Sequence, residues 1–263
     1  MISFTKMCAS GNDFVVINNK EMGIVIDPSI AKRWCDRKRG IGADGVLVIS
    51  PSSLALFKMR IINADGSEAE MCGNGARCIA KYAYLKGIAD RMMNFETLAG
   101  MINAEVSDEQ TRIQLTQPTN IQLDMKIDDY PPIHHINTGV PHAVLLVDDV
   151  DAIDVVSLGR AIRYHPAFQP AGTNVNFVEV IDNSHIKVRT YERGVEDETL
   201  ACGTGSSASA CICEILSMTS SPVQVTTKGG EVLTICLERD GDNITSLFLE
   251  GEATIIFEGG IEE

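Results

Sequence analysis

The chain repeats itself once, and no other feature constrains its fold as tightly. Cys72-Gly-Asn-Gly-Ala lies over Cys202-Gly-Thr-Gly-Ser at an offset of 130 residues. In the same order, Gly11-Asn-Asp-Phe-Val-Val-Ile lies over Gly139-Val-Pro-His-Ala-Val-Leu at 128 and Ser29-Ile-Ala-Lys-Arg-Trp over Ser157-Leu-Gly-Arg-Ala-Ile at 128. Lys58-Met-Arg-Ile-Ile-Asn lies over Lys187-Val-Arg-Thr-Tyr-Glu at 129, and Phe95-Glu-Thr-Leu-Ala-Gly over Val225-Thr-Thr-Lys-Gly-Gly at 130. Several matches in one order at nearly one offset mean two homologous halves. The strand pattern Arg112-Ile-Gln-Leu-Thr stops at a proline, which places the join near Gln117-Pro118. The halves are therefore 1–117 and 118–263, with the last strand free to return to the first half.

Each half reads as β-rich. β-Branched runs predict strands at Phe14–Ile17, Val46–Ile49 and Lys58–Ile62, with counterparts at Ala143–Val147, Asn176–Val180 and Ile186–Tyr191. Two helices per half are expected. One starts at Asp27-Pro-Ser and again around Ser157, with Asp or Ser to cap it and, in the first half, Pro early in the first turn. The other follows each Cys-Gly-x-Gly motif, over Ala76–Leu85 and Ser206–Leu216. A helix apolar on every side is a buried one. The fold class is α+β, two β-rich halves each wrapped around a central helix.

With 22 Lys+Arg against 36 Asp+Glu the formal net charge is −14, which argues against function on nucleic acid or an anionic membrane. No apolar run approaches a membrane span, and the start shows no charged and then apolar leader, so a soluble, cytoplasmic protein is expected. The eight cysteines include no C-x-x-C pair, which removes the zinc knuckle and the thioredoxin-type redox pair. Cys8, Cys35, Cys78, Cys211, Cys213 and Cys236 read as structural thiols. Trp34 reads as a core residue of the first helix, His134-His135 as loop histidines, and Gly40-Ile-Gly-Ala-Asp-Gly45 as a turn feeding a strand, because a dinucleotide loop follows a strand instead.

Cys72 and Cys202 differ from the rest. A helix N-terminus leaves N–H groups unpaired and carries about half a positive charge. Flanking glycines let a carboxylate or phosphate approach the backbone, and a thiolate in the same place is stabilised. Two such sites in equivalent places offer two acid/base groups around one bound carboxylate. That arrangement inverts a stereocentre: one group removes the proton and the other returns one to the opposite face.

Ala64-Asp-Gly-Ser-Glu-Ala-Glu-Met-Cys-Gly-Asn-Gly-Ala-Arg-Cys78 closely resembles the first signature of the diaminopimelate epimerase family, and Tyr191-Glu-Arg-Gly-Val-Glu-Asp-Glu-Thr-Leu-Ala-Cys-Gly-Thr-Gly205 the second. The opening Lys6 to Ile17 and the close Gly251 to Phe257 also fit. The resemblance implies an epimerase that interconverts LL- and meso-2,6-diaminopimelate in bacterial lysine and cell-wall precursor synthesis, with no metal and no pyridoxal phosphate. It implies two pseudo-symmetric halves, each a β-barrel-like sheet around a central helix, with the active site in the cleft between them. By position, Cys72 and Cys202 are the acid/base pair, and Gly73-Asn74 and Gly203-Thr204 hold the α-carboxylate. Asn12, Asn63, Asn174, Glu192 and Arg193 grip the amino acid, His142 and Glu192 tune the thiols, and Phe257 marks a homodimer contact.

Two departures bear on specificity. The family usually reads Gly-Asn-Pro-His where this chain has Gly139-Val-Pro-His142, and Gly45 stands where some members carry a polar substrate contact. A smaller acidic amino acid such as glutamate is then the expected second substrate. The alternatives are a cofactor-independent racemase of the proline racemase type, which typically carries His in place of Asn74 and lacks the Glu-Arg-Gly arm, and, from another class, a thiol redox or metal-binding protein.

Overall fold

In a computed structural model that describes residues 1–20, 23–241 and 243–262, the repeat in sequence is a repeat of elements. The first set is β1 (Ile2–Ala9), β2 (Asn12–Asn18), α1 (Pro28–Cys35), β3 (Gly45–Ser50), β4 (Lys58–Asn63), β5 (Glu68–Ala69), α2 (Gly73–Leu85), β6 (Met92–Thr97), β7 (Gly100–Val106) and β8 (Thr111–Gln114). After β9 (Thr119–Met125) the second set is β10 (Ile133–Asn137), β11 (Pro141–Leu146), α3 (Val155–Arg163), β12 (Asn174–Asp182), β13 (His185–Glu192), β14 (Asp197–Thr199), α4 (Gly203–Ile215), β15 (Val223–Thr227), β16 (Val232–Asp240) and β17 (Asn243–Gly251). β18 (Thr254–Ile261) follows.

The pairing is the same in both sets. β1–β2 and β3–β4 are antiparallel, β2–β3 and β4–β6 parallel, and β6, β7 and β8 form an antiparallel run. β10 to β17 repeat that alternation. Each parallel step is the one a helix spans, as a crossover requires. β18 pairs with β1 as β9 pairs with β10, so the last strand supplies to the first unit the edge that β9 supplies to the second. The chain accordingly divides into Met1–Ile113 with Gly251–Glu263, and Gln114–Glu250. The break precedes Gln117-Pro118 because Leu115 already donates its N–H to Leu247 O, at 2.9 Å, within the second unit.

Within each unit the sheet is lined on both faces, which is why its strands read as unbroken apolar runs and not as alternation. Val15, Ile17, Val46, Val48 and Ile62 pack with Ala31, Trp34 and Cys35 of α1. The alternate residues face α2, which packs against β1, β2, β3, β4 and β7. Residues Asn74 to Ala83 are buried without interruption, as are 205 to 213 of α4, which packs against β10 to β13, β15 and β16. The outer helices are capped by aspartates. Asp27 accepts from the Ser29 and Ile30 amides (2.8 and 3.0 Å), and Asp154, not Ser157, caps α3 by accepting from Ser157 N at 3.1 Å.

His134 and His135 lie in β10, where alternation sends them to opposite faces. His134 is buried and accepts from Asp124 N, while His135 lies 3.1 Å from Asn120 O. Burial pushes the thiols of Cys35 and Cys213 up to about 11 and about 12, and raises that of Cys211 as well, as inert core residues require. Among the described residues no helix is long and apolar enough to cross a membrane, and no group of His, Cys, Asp and Glu is arranged to hold a metal ion.

Candidate active site

Cys72 is the N-cap of α2. Its backbone is extended (φ −144°, ψ 122°) and its sulfur accepts from Gly75 N at 3.5 Å. Gly73 and Asn74 head the helix, where intrahelical acceptors run out, so their amides and the positive end of the dipole favour an anion. A Cβ at Gly75 would stand 3.0 Å from Leu47 Cδ2 and 3.6 Å from Cys72 Cβ, so a glycine lets helix, strand and thiol close up.

Asn12, at the start of β2, faces this thiol. Its Oδ1 accepts from Cys72 Sγ at 3.8 Å and from Asn74 Nδ2 at 3.5 Å, while its Nδ2 donates to Asp44 Oδ2 at 2.7 Å. Asn74 is fixed from the other side: its carbonyl accepts from Arg77 Nη2 at 2.7 Å, and Arg77, wholly buried, also donates to Ser10 Oγ and Glu252 O. Asn63 ends β4 and donates its side-chain amide to Ser67 Oγ at 3.0 Å. The first unit thus brings Asn12, Cys72 and Asn74 into mutual contact.

The second unit builds the same frame with different chemistry. Cys202 is the buried N-cap of α4, with Thr204 Oγ1 3.5 Å from its sulfur, and the Thr204 carbonyl accepts from Thr138 Oγ1 at 3.0 Å. His142 is fully buried, with Nδ1 3.1 Å from Asn176 Nδ2. The same Asn176 amide donates to Ala143 O at 3.0 Å while its Oδ1 accepts from Thr190 Oγ1 at 2.9 Å, so Nδ2 is the donor end. His142 Nδ1 is therefore the acceptor, and the ring proton sits on Nε2. Burial above all, and then the nearby His135 and Arg193, push His142 down to about 3, which leaves it neutral at physiological pH. Its Nε2 is buried and without a hydrogen-bond partner among the described residues. A Cβ at Gly205 would run into Asn176 Oδ1 and stand 3.3 Å from Cys202 Sγ, so the amide and the thiol crowd the same glycine.

Glu192 and Arg193 leave the end of β13. Burial raises the Glu192 carboxyl against the pull of the Thr199 hydroxyl. The Arg193 N–H donates to Asn174 Oδ1 at 2.8 Å and its guanidinium to Ala171 O at 2.8 Å, while Asn174 Nδ2 donates to Pro141 O at 3.1 Å. Asn174 here holds the arm that carries Arg193. The arm is further pinned by an Arg189–Glu198 fork (2.6 and 2.8 Å), as Arg60–Glu68 (2.7 and 3.1 Å) pins the matching arm in the first unit.

Strand register gives the two departures a structural meaning. Met7 is opposite Phe14 in β1–β2, and Ile136 is opposite His142 in β10–β11. Val140 thereby takes in the second unit the place that Asn12 takes in the first. Gly45 is opposite Asn63, and a Cβ there would sit 3.0 Å from Ile62 O. Phe257 lies on the exposed strand β18 with Ile255 and Ile256 and packs edge-on against Phe4, with ring centroids 5.9 Å apart.

Asp44, Arg77 and Asn176 hold Asn12, Asn74 and His142. Arg77 lies inside the first Cys-Gly-x-Gly signature, whereas Asp44 and Asn176 lie outside both, and Asn176 shows in the sequence as a second amide, after Asn174, in the largely apolar strand Asn174 to Val180.

The sequence model of the family described as "Diaminopimelate epimerase" matches residues 4–121 and 134–256. A diaminopimelate epimerase of Aquifex aeolicus is 45% identical over 278 residues, covering 100% of this chain and 98% of the relative. One from Archaeoglobus fulgidus is 43% identical over 277 residues, covering 98% and 95%. Among solved structures, a phenazine biosynthesis protein of the PhzF family from Bacillus anthracis superposes with a TM-score of 0.77 at 15% identity, covering 100% of this chain and 99% of the other. A hydroxyproline epimerase from Agrobacterium vitis gives 0.70 at 16%, covering 98% and 91%. At such identities these two structures speak for the fold alone.

Proposed function

We propose, from the premise that this chain belongs to the diaminopimelate epimerase family of cofactor-independent isomerases, that it inverts one α-carbon of 2,6-diaminopimelate by passing a proton between Cys72 and Cys202. One sulfur, as thiolate, takes the α-proton, and the electron pair of the broken C–H bond moves into the α-carboxylate. The other sulfur, as thiol, returns a proton to the opposite face, and the roles exchange in the reverse direction. The amides of Gly73, Asn74, Gly203 and Thr204 stabilise the charge that develops on the carboxylate. Asn12, Asn63, Asn174, Glu192 and Arg193 orient the substrate. A neutral His142 acts as an Nε2–H donor and not as the base, and Glu192, with its raised carboxyl, is the group poised to share a proton.

The observation that carries this reading is the pair of cysteines, each capping a buried helix at the same step of a repeated fold. The test is α-proton exchange of diaminopimelate in D₂O with reductant present, for wild type, Cys72→Ala and Cys202→Ala. Exchange in the wild type with epimerisation lost in both variants is expected. Epimerisation that survives either substitution would overturn it.

The enzyme works in the cytoplasm as a homodimer joined through the exposed apolar strand β18, and Phe257→Ser is expected to yield monomer by sedimentation. Val140 and Gly45 remove side-chain contacts on the substrate, so glutamate is also turned over. No α-proton exchange with glutamate at high enzyme concentration would refute that extension.

A further inference from the structure

An amide has two unlike ends, and which end faces a thiol decides which protonation state it favours. At Cys72 the choice is made by residues remote from the substrate contacts assigned above. Asn12 Nδ2 is claimed by Asp44 Oδ2 at 2.7 Å, which leaves the carbonyl Oδ1 turned to the Cys72 thiol and to Asn74 Nδ2. Asp44 cannot swing away. Its Oδ2 also accepts from Asp13 N (3.1 Å), its own N–H donates to the Asp13 carbonyl and carboxylate (2.9 and 3.1 Å), and its Oδ1 accepts from Arg37 Nη2 at 2.8 Å. Arg37 forks onto Asp13 (2.7 and 3.0 Å), and the buried Lys6 closes the cluster on Asp13 at 2.8 Å. Burial works to raise the Asp13 carboxyl, but hydrogen bonds from Arg37 and Lys6 outweigh it and hold it well below the usual carboxylate range. The anchor is therefore charged wherever the enzyme is folded and working.

We propose that Asp44, anchored by Arg37 and Asp13, is a positioning residue that locks the Asn12 amide with its carbonyl toward Cys72. The locked carbonyl accepts from S–H and so favours the thiol, whereas a turned amide would offer N–H to sulfur and favour the thiolate. The charged groups that reach this thiol through Asn12 and Asn74 are those of the cluster, Lys6, Asp13, Arg37 and Asp44, with Arg77 behind Asn74. The proposal rests on the reading of Cys72 as a proton-transferring thiol, but its main test does not.

Asp44→Asn and Asp44→Ala remove the same charge, and only the first keeps an acceptor for Asn12 Nδ2 and Asp13 N. The pH midpoint of Cys72 alkylation by iodoacetamide, read site by site by mass spectrometry in a Cys202→Ser background, is expected to fall by about one unit further in Asp44→Ala than in Asp44→Asn. With Cys202 intact, kcat for epimerisation is expected to drop roughly 10-fold or more in Asp44→Ala and to be largely rescued in Asp44→Asn. Adding Asn12→Ala should abolish the difference between the two midpoints. Equal midpoints for Asp44→Ala and Asp44→Asn, or a difference that persists without the Asn12 side chain, would overturn the proposal. If Asp44→Ala does not fold, Asp44→Leu, near in shape and equally without an acceptor, carries the same comparison. Absence of epimerisation in the wild type would instead refute the functional reading and leave the alkylation result to judge Asp44.

Discussion

Gly75 and Gly205 are equivalent residues, each third in its buried helix, yet the same substitution should affect them differently. Alanine in place of glycine gains up to about 1 kcal/mol of helix propensity at either position. At 75 the new methyl meets the end of the Leu47 side chain at 3.0 Å, with Phe14 Cζ at 3.7 Å. Leu47 can give a few tenths of an ångström, at a rotamer cost of about 0.5–1.5 kcal/mol that roughly cancels the gain. At 205 the methyl lands on Asn176 Oδ1. Asn176 must leave, and with it go its bonds to His142, Ala143 and Thr190, each worth about 1 kcal/mol net and more where a buried partner is stranded.

Gly205→Ala is therefore expected to destabilise the protein by about 2–3 kcal/mol after the propensity gain, and Gly75→Ala to stay within about 1 kcal/mol of wild type. At about 2–4 °C per kcal/mol for a chain of this size, thermal denaturation should show Gly205→Ala lower by roughly 4–12 °C. Because the methyl would also stand 3.3 Å from Cys202 Sγ, activity should fall at 205 more than at 75. Equal Tm shifts for the two variants, or a Gly205→Ala protein as stable as wild type, would refute the argument.

Three further outcomes follow from the same geometry. His142 is held neutral with a folded value of about 3 against 6.5 unperturbed, so below about pH 6.5 the unfolded chain binds the extra proton. Stability should be full above that pH and fall by about 1.4 kcal/mol per unit below it. His142→Phe should flatten the slope between pH 5 and 6.5 (His134, also lowered by burial, keeps its share), and an unchanged slope would contradict the buried neutral ring. Asp13 loses its contribution only at lower pH, below the ordinary carboxylate range. Native alkylation at pH 8 should spare Cys35, Cys211 and Cys213, and rapid labelling of any of them would contradict their burial. Glu198→Gln breaks a fork whose side chains are only 12–15% exposed and should cost about 2 kcal/mol, since Arg189 keeps Val150 O and Ile153 O. Glu68→Gln breaks the more exposed counterpart and should cost under about 1 kcal/mol by urea denaturation.

The repeat made the architecture legible because topology is copied with sequence. Six β-branched runs and both Cys-Gly-x-Gly helices fall where the pattern puts them, since β-branched residues suit a pleated surface and an all-apolar helix has to be enclosed. His134-His135, expected in a loop, lie in β10, which starts at Ile133 directly after Pro131-Pro132 and pairs with β9 and β11. Of the candidate site, the two Cys-Gly-x-Gly turns stand out in the sequence, while Asp44 and Asn176, which hold residues beside them, do not. Asp44 reaches Asn12 across 32 positions, and Asn176 reaches His142 across 34, through parallel strands whose register no local pattern announces. Nor does the sequence indicate that Asn174 ties the Arg193 arm to β11, its Oδ1 accepting from Arg193 N and its Nδ2 donating to Pro141 O.

The differences between the copies carry more chemistry than their likeness. Around Cys72 the floor is apolar, Phe14 and Leu47, and the polar contact comes from the edge, from Asn12. Around Cys202 the positions of Phe14 and Leu47 are filled by His142 and Asn176, and that of Asn12 by Val140. One thiol thus sees an amide carbonyl, and the other a threonine hydroxyl, with the Asn176 amide that holds the buried, neutral His142 crowding the same Gly205. On the proposed reading of Cys72 and Cys202 as a proton-passing pair, two thiols that differ in how readily they hold the proton give the shuttle one defined starting state. The swap of an apolar pair for a hydrogen-bonded polar pair beneath one helix end, with the backbone repeat intact, supplies such a difference without altering the frame that positions each sulfur in its own unit.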